Sequence, residues 1–112
     1  MNFVRSQINK VRAERQNRSA YASLIDDPTE AEITLPANGT FAFQATAAHS
    51  AGATVCTVAG PTNRAIACPA MEDGDFFRLD RLERGSVVTV SAGFDMLLHM
   101  GLGVYVKIAE GA

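Results

Sequence analysis

The chain has 112 residues, 47% of them hydrophobic, and a net charge of −2, which suits one domain with one modest core. The charge is unevenly placed: residues 1–20 carry Arg5, Lys10, Arg12, Arg15 and Arg18 against Glu14 alone, net +4, whereas residues 21–112 carry five basic side chains against eleven carboxylates, net −6. The N-terminus lacks the run of about 7–15 apolar residues of a secretory leader and no stretch reaches the roughly 20 of a membrane span, so a soluble intracellular protein is expected.

Residues 1–20 read as a basic amphipathic arm. Val4, Ile8 and Val11 recur at i, i+4 and i+7, one narrow helical stripe, with Arg5, Lys10, Arg12 and Arg15 over the remaining surface. A helix this short is marginal in water and needs a partner to dock on. Direct nucleic-acid binding is not expected, because the cations have no interleaved aromatics and the rest of the chain would repel phosphate. Residues 21–31, with Asp26, Asp27, Pro28 and Glu30, read as an acidic linker.

From residue 32 to 112 the pattern is period-two alternation punctuated by Gly, Pro, Asn and Ser. Ile33–Leu35 and Phe41–Ala45 could form a hairpin with Ala37, Asn38 and Gly39 as its loop, or lie in different sheets. Val55–Ala59 and Ala65–Cys68 flank a five-residue turn whose register would set Val58 opposite Ile66 and Cys56 opposite Cys68. Cross-strand cysteines sit slightly wide of disulfide geometry, so two buried thiols are favoured. Ala45 to Ala53, rich in small residues, reads as a connection between sheets. Phe76–Leu79 and Val87–Ala92 bracket a corner at which Leu82 falls out of phase, and Arg78, Arg81 and Arg84 there form a mixed-charge patch with Asp80 and Glu83, a candidate subunit contact. Phe94–Leu98 is a possible strand. In the last strand, Leu102, Val104, Val106 and Ile108 should face one way and Gly101, Gly103, Tyr105 and Lys107 the other, leaving a shallow groove beside Tyr105.

The expected fold is therefore mainly β: a β-sandwich or jelly-roll-like domain of seven to eight short strands behind a short N-terminal helical arm. No catalytic residue, cofactor or metal is expected. His49 and His99 have no ligand or triad spacing, the cysteines have no second pair, and Met71-Glu72-Asp73-Gly74-Asp75 lacks the ligand order of a calcium loop.

A basic arm, an acidic hinge and a small sandwich containing Ile33-Thr34-Leu35-Pro36-Ala37-Asn38-Gly39-Thr40 and Leu82-Glu83-Arg84-Gly85-Ser86-Val87-Val88-Thr89-Val90 resemble small virion proteins of tailed bacteriophages, particularly capsid decoration or cement proteins. The resemblance implies a non-enzymatic homo-oligomer, often a trimer, made in the host cytoplasm and bound to the capsid exterior across joints between major capsid subunits. On that reading Phe3, Val4, Ile8 and Val11 anchor the arm to a neighbouring protein, and Arg5, Arg12 and Arg15 pair with its carboxylates. The competing expectation is a soluble ligand-binding sandwich, for which two tyrosines and no tryptophan supply few stacking platforms. Tail and fibre components use related sandwiches.

Overall fold

A computed structural model describes residues 19–61 and 63–112. Among these residues a short helix, α1 (Ala22–Asp26), precedes nine strands: β1 (Thr29–Glu30), β2 (Glu32–Thr34), β3 (Gly39–Ala45), β4 (Thr54–Ala59), β5 (Arg64–Ala67), β6 (Phe76–Leu82), β7 (Val87–Val90), β8 (Phe94–His99) and β9 (Tyr105–Glu110). They form a five-stranded sheet in the order β1-β9-β8-β3-β6 and a four-stranded sheet in the order β2-β7-β4-β5. This is the expected mainly β, sandwich-like architecture. Alternation explains the layering, because successive side chains on a strand point to opposite faces. Phe41, Phe43 and Ala45 of β3, Met96 and Leu98 of β8, and Val88 and Val90 of β7 share one buried core, while Thr89 between the two valines is exposed.

Residues 21–31 are part of this domain and not a spacer. Tyr21 is fully buried, packs edge-on against Phe41 at 6.1 Å and donates its hydroxyl hydrogen bond to the Ala37 carbonyl. β1 pairs in parallel with β9. Ala31 then carries the chain between sheets at φ +60. Its N–H donates to the Glu110 carbonyl beside the five-stranded sheet, and its carbonyl accepts from Val90 of the four-stranded sheet, each at 2.7 Å.

Ile33–Leu35 and Phe41–Ala45 do not form a hairpin: β2 pairs with β7, and β3 pairs with β6 and β8. The residues of the supposed loop have other partners. Asn38 accepts the Arg84 N–H through its side chain, and Leu35 exchanges backbone hydrogen bonds with Ser86 and Gly85. β4 and β5 do pair, two residues away from the expected register, with Cys56 opposite Ile66 and Val58 opposite Arg64. A two-residue slip preserves the face of every side chain, so Cys56 remains inside. Cys68 lies beyond β5, and both thiols are buried and free. Leu82 belongs to β6, its change of phase being a bulge between the pairs Gly39–Leu82 and Phe41–Leu79. The last strand begins at Tyr105, later than expected, and a register shift against Met96 and Leu97 leaves Ile108 and Ala109 both buried.

Two outcomes test these features. Ala31→Pro fixes φ near −65° and removes the N–H held by Glu110, so it should cost about 3 kcal/mol or more in urea unfolding, whereas Ala31→Gly, at ease with positive φ, should change stability by less than about 1 kcal/mol. Burial pushes the Cys56 thiol up from 9.0 to about 11, partly offset by Arg64, and pushes the Tyr21 phenol up from 10.0 to about 12, partly offset by its bond to Ala37. Raised folded values mean stability is complete below pH 9 and is lost as pH rises through 9–11 for the thiol and 10–12 for the phenol, up to about 3 kcal/mol each. An alkaline unfolding titration should show both losses, and Cys56→Ala should abolish the first.

Candidate protein-contact site

Strand register defines two ends of the sandwich. At one, here the head, lie the β2–β3 loop, the β6–β7 corner and the β8–β9 turn, since Gly39 pairs with Leu82, Phe41 with Leu98 and His99 with Tyr105. The chain enters the fold there, at Tyr21 beside Ala37. At the other, the tail, lie the β3–β4, β5–β6 and β7–β8 connections, tied by the His49–Met71 bridge.

The β8–β9 turn is the most unusual local structure. Met100 donates to Val104 and Val104 donates to Gly101, closing a loop in which Gly101, Leu102 and Gly103 all have positive φ, +89, +54 and +73. Glycine adopts this backbone without penalty; a leucine does so at a cost of about 1–2 kcal/mol. Leu102 is nevertheless 88% exposed and Val104 51% exposed. Among the described residues neither burial nor a side-chain hydrogen bond offsets the strain.

From this turn the outer face of the five-stranded sheet continues the apolar surface. Tyr105 lies 4.9 Å from the His99 ring and 6.0 Å from that of Phe76, itself 54% exposed. Ala42 and Leu97 are buried but stand apart from the core cluster, in one register row flanked by Arg78 and Lys107. Lys107 hydrogen-bonds Glu110, which raises its pKa. An exposed apolar surface rimmed by polar groups is the usual signature of a protein contact.

Arg78 and Arg81 are exposed on β6 and Arg84 is exposed in the corner that follows. Arg78 thus borders the aromatic face, and Arg81 and Arg84 lie at the head. The arm residues Phe3, Val4, Arg5, Ile8, Val11, Arg12 and Arg15 lie outside the described residues. Leu102 was assigned to a strand, although Gly101 and Gly103 on either side of it are turn residues and signalled the loop. The exposure of Phe76 follows from alternation, since its neighbour Phe77 is half-buried on the core side.

Two hollows accompany these surfaces. A shallow trough of about 510 Å³ crosses the outer face of the four-stranded sheet, with Glu32 and Arg64 at its edges and Thr57 and Thr89 in register on its floor. A hollow of about 240 Å³ opens at the tail between Ala48, His49, Ser50, Ala70, Met71 and Glu72. There His49 stacks on Phe94 at 4.1 Å, with its Nε2 3.0 Å from the Gly93 carbonyl. Among the described residues no group of three or more His, Cys, Asp or Glu is placed to hold a metal, and no helix is long and apolar enough to cross a membrane. Comparison with protein-family models, curated proteins and solved structures finds no match.

Because Asn tolerates positive φ, Leu102→Asn should leave the fold intact and raise its stability by up to about 1 kcal/mol in urea unfolding, while reducing binding of a hydrophobic dye. A loss of stability would mean that Leu102 supports the fold.

Proposed function

We propose that this chain is a non-enzymatic assembly protein of a bacteriophage virion, of the capsid-decoration kind, which acts as an oligomer on the capsid exterior and reinforces contacts between major capsid subunits. The observation that supports this reading best is the exposed Leu102–Val104 turn at the head, where the basic segment joins the domain. A strained apolar projection and a cationic segment at one end suit attachment to a protein surface carrying apolar hollows and carboxylates. Tethered together, the two elements reinforce each other, because once one is bound the other engages at high effective concentration.

The 510 Å³ trough favours a second reading, a soluble ligand-binding module, in which Glu32, Asn63 and Arg64 would supply the polar contacts. The two readings place the binding residues on different parts of the molecule.

Removal of residues 2–18 should preserve the far-ultraviolet circular dichroism of the domain and abolish co-sedimentation with capsid shells from the native source. Wild-type co-sedimentation by the shortened chain would reject the role of the arm, and absence of capsid binding by the intact chain would reject the decoration reading.

A further inference from the structure

The head and tail differ in charge as well as shape. Arg64 stands at the head end of β5, Arg81 near the end of β6 and Arg84 in the corner beside Asn38, with Asp80 and Glu83 between them in sequence. Tyr21, which follows the sequence segment of net +4, is anchored at this same end. The tail has the opposite character. Glu72, Asp73 and Asp75 lie in the β5–β6 connection, and Glu30, Asp95 and Glu110 share one register row there; Lys107, bonded to Glu110, is the cation nearest that row.

Each end also carries half of an apolar contact. The head projects Leu102 into solvent, and the tail holds the 240 Å³ hollow, whose lining is part apolar, from Ala48, Ala70 and Met71, and part polar, from His49, Ser50 and Glu72. We infer that the tail hollow receives Leu102 of a second copy, so that the chain self-associates head to tail, basic end on acidic end. Charge complementarity selects this arrangement: head on head would oppose Arg64, Arg81 and Arg84 with their copies, and tail on tail would oppose the carboxylates. A contact between different patches is heterologous, and it generates a closed ring or an open filament according to the rotation between copies. The inference deepens the assembly reading by naming the contact between copies. It is tested on the purified chain alone, so its failure and a failure of capsid binding are separate results.

Sedimentation or light scattering of the full chain should show mass increasing with concentration at low salt and falling as salt approaches 1 M, where screening acts over about 3 Å. Leu102→Asp disables the head and the pair Glu72→Arg, Asp73→Arg disables the tail; all three positions are exposed, and circular dichroism verifies the fold of each variant. Each variant alone should self-associate at least about tenfold more weakly than wild type, from loss of one buried leucine or reversal of the tail charge. Mixed in equal amounts, the two variants should form a species of two chains that grows no further, because the mixture retains one intact head and one intact tail. A wild-type chain that stays monomeric at low salt, or a mixture that shows no association beyond its components, would overturn the inference.

Discussion

The sandwich depends on the backbone of Ala31. One peptide unit on either side of this residue serves both sheets, its N–H bonded to Glu110 and its carbonyl to Val90. The residue must take φ +60 to do this, a conformation that turns the chain from β1 into β2 without leaving either sheet's edge unsatisfied there. The crossing also accounts for the crowding nearby: a side chain at Gly111 would place its first carbon 1.8 Å from the Ser91 carbonyl oxygen. With one side closed by the short strands β1 and β2, the long edge left open is β6, seven residues carrying Arg78 and Arg81. Charged residues on such an edge discourage pairing with another sheet, a role for these arginines that requires no partner.

Closure at Ala31 also fixes the polarity of the molecule. It holds the end of β1 beside the end of β9, so Glu30, Glu110 and Asp95 fall in one row at the tail. Helix α1 and Tyr21 then occupy the opposite direction along the chain, which brings residue 19 to the head. The carboxylate row thus lies at the end of the domain opposite to the one at which Tyr21 enters it. Arg81 and Arg84 are exposed at the head.

The two-sheet architecture was legible because alternation is a local property: Phe41 with Phe43, Val88 with Val90, and Met96 with Leu98 each declare a strand without reference to the rest of the chain. Pairing was less legible, since it depends on distant residues. The hairpin at Asn38-Gly39 was plausible by turn chemistry, but the Arg84 N–H and the Tyr21 hydroxyl, 46 and 16 residues from their partners, hold that loop in another shape. Residues 21–31 looked like a linker because Asp26, Asp27 and Pro28 are polar or helix-breaking; Tyr21, the fully buried anchor of the segment, carries no periodic signal, and Leu24 and Ile25 beside it are only partly buried against the core. The same limit hid the hollow at the tail, which is assembled from segments 48–50 and 70–72 joined by the His49–Met71 bridge.

Leu102 remains the sharpest departure from local consistency. Natural sequences tend to agree with themselves at every level, and the places where they do not are enriched in functional sites. A turn flanked by Gly101 and Gly103 is served at lower free energy by Asn or Gly at its centre, which tolerate positive φ and leave no apolar surface in water. A leucine there is unfavourable on both counts among the described residues. The proposed contact between copies would supply the missing interaction, and it must be apolar, since Leu102 has no polar group to contribute. A mobile aliphatic tip would satisfy neither requirement, whereas the backbone hydrogen bonds between Met100, Gly101 and Val104 hold this one in place, so the ordering cost of presenting the side chain is met before any contact forms.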